Sequence, residues 1–341
     1  CADGDAGHIY SGILPFDVKK VDTAALQPTR TKIMINLGNP EQAMEASFLP
    51  ADGVGLVRTE FIIGSLIRVH PSALLAYDTL DRRLRDTIDN IIEGYDSPAD
   101  FFVSKLAQGI AMIAAAFYPK PVTVRFSDFK SNEYASLIGG DQFEPNEENP
   151  MLGLRGAMRY FSPDFSASFA LECQAVKKVR SDMGLKNVQL LVPFVRSINE
   201  AEKVAKLLEQ QGLSRHEDDL KIHLMCEVPS NALLAAKFLN HFDGFSIGSN
   251  DLTQLTLGID RDAVLDSNLD ERDEATQMLI KMAIQACKSA GKSVGICGQA
   301  PSDFREIVDF LIDEQIDSIS LNSDSLLEMK TYISNLERKR A

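Results

Sequence analysis

The chain has 341 residues, 45% of them hydrophobic and 25% charged, which is the composition of an ordinary globular protein. Its formal net charge of −14 argues against nonspecific nucleic-acid binding, which needs a basic face. A small anionic ligand is still allowed, because salt screens distant charges and a few local arginines then dominate a pocket.

The cysteines and the apolar stretches indicate in which cellular compartment the protein is expected. The five cysteines are an odd number and form no C-x-x-C pair, which argues against a disulfide framework or a zinc site and predicts a reducing cytoplasm. The longest uncharged apolar stretch, 109–118, is far shorter than the ~20 residues that a membrane helix needs. We therefore expect neither a membrane nor a nucleic acid as a partner.

Short apolar, β-branched runs recur along the chain, each followed by a polar turn and a segment of helical period. Near-continuous apolar character is typical of parallel strands that are covered on both faces. The runs are 32–37, 53–57, 121–126, 188–192, 221–226, 244–247, 293–297 and 319–321. They predict a (β/α)8 barrel, and a doubly wound open sheet is the alternative that strand count alone leaves open.

Some segments fall outside this repeat. Residues 1–31 contain several glycines and prolines and are interpreted as the tail of a preceding domain and a linker, with the barrel spanning 32–341. Residues 66–118 predict a helical insertion, and 128–153 predict a long loop. A helix is predicted to begin at Asn199. Because the chain lacks an initiator Met, we expect it to be a piece of a longer polypeptide.

Two acidic residues follow consecutive predicted strands. Active sites of such barrels lie at the carboxyl ends of the strands, where Glu227 ends the fifth run and Asp251 follows the sixth. Neighbouring strands lie about 4.8 Å apart, so these carboxylates can share a hard cation, Mg²⁺ or Mn²⁺. An N-cap or a salt bridge is the alternative for either residue alone, and the pairing favours a metal site.

Two arginines and a turn predict an anion site at the same end of the barrel. Arg58 and Arg125 end the second and third runs, and paired guanidinium groups suit bidentate binding of phosphate or carboxylate. Salt bridges to Glu60 or Asp128 are the alternative. Backbone N–H groups of the turn 248–250 provide a second anion-holding device.

Cys297 ends the seventh run between Gly295 and Gly298, which permit close approach of a ligand. A small buried hydrophobe is the alternative, and we assign Cys173, Cys226 and Cys287 to that class. Beside a metal and two arginines, a thiol can instead exchange a proton with a substrate carbon. Such a site stabilises an enolate. Pyruvate and its phosphorylated enol fit it, as do oxaloacetate and related keto acids.

Six motifs occur in order over nearly the whole chain. They are GLVRTE (55–60), VRFSD (124–128), NPMLGLR (149–155), CEVP (226–229), FSIGSNDLTQ (245–254) and GICG (295–298). Together they resemble the C-terminal phosphoenolpyruvate (PEP)-binding barrel of the PEP-utilising enzymes. The stretches 126–134 and 297–303 are most similar to the family's synthase branch. Its dikinase and phosphotransferase-system branches are the alternatives, and they differ in their upstream domains.

The resemblance implies a role for each motif residue. Arg58 and Arg125 would bind the phosphate and oxyanion of the substrate, and Cys297 would be the proton donor or acceptor at its methylene carbon. Glu227 and Asp251 would hold Mg²⁺. The further substrate-site residues that it implies are Gly248, Ser249 and Asn250, with Arg155 and Arg261 as second-rank phosphate-site arginines.

The resemblance also implies partners. In the synthase branch, ATP, pyruvate and water give PEP, AMP and phosphate through a histidine on a mobile domain. The phosphohistidine motif and the ATP-binding domain are not within these 341 residues, and His8 is a poor carrier candidate. We therefore expect the chain to bind pyruvate or PEP without completing the synthesis, and to form a homodimer. A non-catalytic dimerisation or binding module, and a Mg²⁺-dependent lyase on a similar barrel, are further alternatives.

Overall fold

Eight parallel strands close into a barrel, in which each strand pairs with the next and the last pairs with the first. The computed structural model describes residues 2–3, 8–13, 15, 26–260 and 269–340. The barrel strands are β1 Lys32–Leu37, β2 Val54–Arg58, β3 Val122–Arg125, β4 Val188–Val192, β5 Ile222–Cys226, β6 Gly244–Ile247, β7 Ser293–Ile296 and β8 Ser318–Leu321. Closure confirms the predicted (β/α)8 barrel and contradicts the open sheet. A short ladder also pairs Ala2–Asp3 with His8–Ile9.

The predicted runs match the strands because both faces of a barrel strand are covered. All four residues of β3 are buried, for example. The predicted bounds of β1, β4 and β6 agree with the structure, those of β2 and β3 differ by one residue at both ends, and those of β5, β7 and β8 differ by one residue at one end. The carboxyl end of each strand therefore lies where the polar residues begin.

Helices alternate with these strands and cover the barrel. They are α1 Ala43–Ser47, α2 Thr59–Ile62, α3 Pro71–Leu75, α4 Arg82–Ile92, α5 Pro98–Phe117, α6 Ser131–Ala135, α7 Ala157–Tyr160, α8 Ser166–Lys177, α9 Ile198–Gln210, α10 Pro229–Leu233, α11 Ala235–Phe238, α12 Ser249–Leu257, α13 Glu274–Ser289, α14 Ala300–Asp303, α15 Arg305–Asp313 and α16 Leu326–Arg340. Tighter or wider turns are Pro40–Gln42, Tyr77–Thr79, Gly140–Gln142 and Glu217–Asp219 (3-10) and Ile63–Ile67 and Lys178–Asp182 (π).

The helix α5 stands out because it has 20 residues, and its length and composition are those of a helix that can cross a membrane. Half of its most apolar stretch is nevertheless buried inside the fold. Phe101, Phe102 and Ile110 lie in the main core, and the helix packs against α1, α3 and α8. Burial in the core thus accounts for its apolar composition.

One local prediction is wrong and another is incomplete. The helix α9 begins at Ile198, not at Asn199, because the side chain of Ser197 accepts the N–H of Glu200 at 3.2 Å and caps it. The segment 128–153, predicted as a long loop, also contains the short helix α6 and the 3-10 turn Gly140–Gln142. Its Glu144 also anchors the segment to α7, because the carboxylate accepts two hydrogen bonds from Arg159, at 2.5 and 2.7 Å.

The core has two parts. The larger part lies between the barrel and its helices. A small cluster of Leu56, Leu191, Met225 and Cys297 lies apart from it. These four residues belong to β2, β4 and β5 and to the end of β7, so the cluster joins strands across the barrel just below their carboxyl ends.

Candidate active site

The barrel brings the predicted polar residues to one end of the molecule. Arg58 and Arg125 are the last residues of β2 and β3, where they pair in register. Glu227 directly follows β5, the turn after β6 begins α12 at Ser249, and Cys297 directly follows β7. This end of the barrel is where active sites of the fold are built.

Three carboxylates form a cluster there. Asp128, Glu227 and Asp251 each offer an oxygen, and these oxygens all lie within 4.8 Å of one another. Glu227 is fully buried; its Oε1 accepts the N–H of Phe194 at 2.7 Å, and its Oε2 has no hydrogen-bond partner among the described residues. A buried, unsatisfied carboxylate oxygen beside two other carboxylates fits the oxygen ligation of a hard cation.

Sequence reasoning did not include Asp128 in the cluster. The sequence predicts it only as an ion-pair partner of the two arginines, although it stands three residues beyond Arg125, just after the end of β3. That spacing was the available signal. Its approach to Glu227 and Asp251 depends on the path of the chain after β3, which periodicity does not describe.

The pKa values of two carboxyl groups in the cluster, Glu227 and Asp128, are shifted in opposite directions. Burial, reinforced by the charges of Asp251 and Asp128, raises the pKa of Glu227 well above its ordinary value. Burial also acts to raise the pKa of Asp128, but the neighbouring guanidinium groups of Arg155 and Arg125 outweigh it and hold that pKa below its usual value. Positive charge at this point therefore stabilises the ionised cluster.

Arg125 forms ion pairs with Glu60 and Asp128, the partners that the sequence offered as the alternative to a bound anion. Its Nη2 donates to Glu60 Oε1 at 2.7 Å, and its Nη1 lies 3.7 Å from Asp128 Oδ2. Glu60 Oε1 also accepts the N–H of Asp128 at 2.6 Å. Glu60 thus fixes both the guanidinium and the loop that carries Asp128. This pairing orients Arg125 at the strand end beside Arg58, which is half-buried.

Arg155 reaches into the carboxylate cluster itself. Its Nη2 lies 2.6 Å from Asp128 Oδ2 and 3.4 Å from Asp251 Oδ2. The guanidinium carbon stacks 3.9 Å from the centre of the Phe194 ring. Arg155 therefore offsets the charge of the cluster. Arg261, the other second-rank arginine, lies outside the described residues.

The turn after β6 approaches the cluster closely. A Cβ at Gly248 would lie 2.9 Å from Glu227 Oε2, and a Cβ at Gly298 would lie 1.8 Å from Ser249 Oγ. These glycines thus allow two strand ends to meet. Asn250 Oδ1 accepts the N–H of Gln299 at 3.2 Å, and Asp251 lies in the first turn of α12 while Gly248 occupies the N-cap position.

Cys297 lies beneath this ring of polar groups. It is 1% exposed, and its Sγ donates to the carbonyl of Ile247 at 3.5 Å. Burial raises the pKa of the thiol to about 11, against an opposing effect of a hydrogen bond from Ser246. The thiol is therefore protonated at neutral pH, which suits proton donation rather than thiolate nucleophilicity. Cys173, Cys226 and Cys287 are buried and free.

Comparison with known proteins identifies the family. Residues 16–338 match the model of the PEP-utilising enzyme, PEP-binding domain. Phosphoenolpyruvate synthase of Escherichia coli is 53% identical over 341 residues, covering 100% of this chain and 43% of the relative. That of Deinococcus radiodurans is 56% identical over 98% of the chain and 43% of the relative. A probable phosphoenolpyruvate synthase of Staphylothermus marinus is 45% identical over 99% of the chain and 40% of the relative.

The chain spans less than half of the length of these relatives, so their sequences hold further domains that the 341 residues do not cover. Among solved structures, a malate synthase of Haloferax volcanii in a pyruvate/acetyl-CoA complex aligns with 89% of this chain and 69% of its own, with a TM-score of 0.47 and 13% identity. The family model and the identities of the relatives decide the assignment: the chain belongs to the PEP-utilising enzymes and comprises their PEP-binding domain.

Proposed function

We propose that the chain is the pyruvate- and PEP-binding catalytic domain of a phosphoenolpyruvate synthase, a transferase that makes PEP, AMP and phosphate from ATP, pyruvate and water. The observation that carries this proposal is the meeting of two arginines, three carboxylates and a protonated thiol at the barrel's carboxyl end. The synthase relatives described above favour this branch over the dikinase and phosphotransferase-system branches.

In this proposal each residue has a distinct role in binding a three-carbon substrate or in transferring a proton to it. Arg58 and Arg125 bind its phosphate and oxyanion by bidentate hydrogen bonds. Gly248, Ser249 and Asn250 line the substrate site. Cys297 gives a proton to the methylene carbon or takes one from the methyl group, which interconverts the enol and keto forms.

A divalent cation, Mg²⁺ by its preference for carboxylate oxygens, would be held by Glu227 and Asp251. Asp128 is our addition to this set, because its oxygen lies within 4.8 Å of theirs. When bound, such an ion stabilises negative charge on an enolate oxygen. Arg155, which ion-pairs with Asp128 and Asp251, offsets part of the charge of the cluster.

We also propose a domain organisation for the chain. Residues 32–341 would form the PEP/pyruvate-binding barrel, with a helical insertion near 66–118, and 1–31 the end of a preceding phosphohistidine domain and its linker. The phosphoryl donor would then come from phosphohistidine and ATP-binding domains of the same polypeptide. We further propose a cytoplasmic homodimer that forms through the barrel.

Calorimetry with PEP tests the site. We expect binding that depends on Mg²⁺ and that Asp128→Asn weakens by roughly 10- to 100-fold, the usual effect of disturbing groups around a metal. The control is Asp218→Asn, since that carboxylate lies on the surface in an ion pair with Lys186. Thermal unfolding of both variants checks that they fold.

The opposite result separates this proposal from a pure interaction module. A chain that takes up no PEP, or that binds PEP equally well with and without Mg²⁺, contradicts the catalytic assignment. It favours a barrel that serves only in dimerisation.

A further inference from the structure

The barrel interior below the candidate site is polar. Barrels of this type are usually filled by bulky branched side chains. Here a cavity of about 150 Å³ occupies the interior and is lined by Thr123, Gln189, His223, Ser246, Ser318 and Ser320, among others. A polar cavity needs only roughly 10–15 Å³ of such volume to hold one water molecule, so this chamber has room for several.

The chamber opens towards the amino-terminal end of the barrel. Lys32 and Ser293 are the first residues of β1 and β7, Lys221 directly precedes β5, and all three line the chamber and are exposed. Solvent therefore reaches the interior from the end opposite to the candidate site. Burial lowers the pKa of His223 to about 4, so its imidazole is neutral at physiological pH and lies 3.2 Å from Gln189 Oε1.

Ser246 lies between this chamber and the thiol. It lines the chamber and pairs in register with Gly295, two residues before Cys297, and the carbonyl of the next residue, Ile247, accepts a hydrogen bond from the Sγ of Cys297 at 3.5 Å. Hydrogen bonding from the Ser246 side chain also acts to lower the pKa of the thiol. On its other sides the thiol packs with the side chains of Leu56, Leu191 and Met225. Ser246 thus offers an uncharged group that both donates and accepts a proton between sulfur and water.

The thiol needs such a connection. Cys297 is 1% exposed even without a substrate above it, and a bound three-carbon acid would cover it further. Each reaction cycle nevertheless changes the protonation of the sulfur by one proton. That proton has to be exchanged with solvent before the next cycle.

We propose that Ser246 and the water-filled chamber form a proton relay that resets Cys297 from the amino-terminal end of the barrel. The inference rests on the proposed function. When Cys297 protonates the enolate, its S–H bond breaks and a C–H bond forms at the methylene carbon. The resulting thiolate takes the hydroxyl proton of Ser246, and Ser246 regains one from a chamber water. That water recovers its proton from bulk solvent, and enolisation of pyruvate runs the same steps in reverse.

The test is exchange of the methyl protons of pyruvate with solvent deuterium, followed by proton NMR in the presence of Mg²⁺. Ser246→Ala should slow the exchange by at least about tenfold, less than the roughly 100-fold or more that a general acid or base itself contributes, while the affinity for PEP is retained. Ser246→Thr restores a hydroxyl and should recover much of the rate. Thr123→Val is the matched control, because it removes a chamber hydroxyl from a different strand and keeps the volume of the side chain.

The outcomes separate the relay from the proposed function. Exchange in Ser246→Ala at the rate of the unmodified chain overturns the relay only. A joint loss of exchange and PEP affinity that Ser246→Thr does not rescue also overturns it, since Ser246 is then structural. No exchange in the unmodified chain overturns the enolisation chemistry and the relay with it.

Discussion

At the scale of single residues, the candidate site is a set of buried charges that hold one another in place. Glu60 accepts hydrogen bonds both from the Arg125 guanidinium and from the backbone of Asp128. Asp128 in turn pairs with Arg155. Arg125, which we propose to bind the substrate, is thus oriented before any ligand arrives, and such pre-organisation lowers the entropic cost of binding.

This pairing gives a prediction for stability. Arg125→Met leaves Glu60, whose side chain is only 14% exposed, without its cationic partner. Breaking a fully buried pair from one side costs about 3–5 kcal/mol, which is the upper bound of the loss expected here. Urea unfolding measures the loss. Arg82→Met is the control, because the ion pair of Arg82 with Asp86 is exposed and such pairs contribute little. Equal stabilities of the two variants would show that the Arg125 pairs do not hold the site.

At the scale of elements, the helix α8 docks onto the end of β3 through a buried carboxyl group. Glu172 accepts the backbone N–H of Ser127 at 3.0 Å and also contacts the Ser127 hydroxyl. Tyr160 donates to the carbonyl of the same serine at 2.7 Å. Ser127 lies between Arg125 and Asp128, so this network supports the strand end that carries both.

The carboxyl group of Glu172 makes the docking of α8 depend on pH. Burial raises its pKa from 4.5 to about 7. Between these values the folded chain binds more protons than the unfolded chain, so stability falls as the pH rises through this window and levels off above it. The pKa difference corresponds to about 3 kcal/mol. Glu172→Gln should lack this decrease.

Urea unfolding at pH 5 and pH 8 gives the change in the free energy of unfolding between the two pH values. This change is compared between the unmodified chain and Glu172→Gln. Glu202→Gln changes an exposed carboxylate and is the control. If the stabilities of the unmodified chain and of Glu172→Gln depended on pH in the same way, the raised pKa of the Glu172 carboxyl group would be contradicted.

The strands of the barrel were predictable from the sequence, whereas some helix boundaries and loop positions were not. The strands were predictable, since residues covered on both faces must be apolar, and the strand ends then follow from where polarity returns. The start of α9 was misplaced because Asn199 and Ser197 are both good capping residues and only geometry decides between them. The position of Asp128 near Asp251, and of Arg155 between them, depends on contacts across more than 90 residues, which local patterns do not encode.

At the scale of the whole molecule, a chain of net charge −14 is proposed to bind an anion. The two are compatible because the arginines line the site itself, whereas surface charges beyond a Debye length of about 8 Å are screened. The barrel holds two polar regions, the charged residues at its carboxyl end and the polar chamber that opens at its amino-terminal end, and Cys297 lies below the first of them.

We propose that this chain transfers a proton at the carbon of pyruvate without the further domains of its relatives. The most direct measurement is Mg²⁺-dependent exchange of the pyruvate methyl protons with deuterium by the unmodified chain and by Cys297→Ala. Removing the proton donor should lower the rate on the order of a hundredfold or more, with PEP affinity retained. Exchange in Cys297→Ala at the unmodified rate would show that Cys297 is not the proton donor.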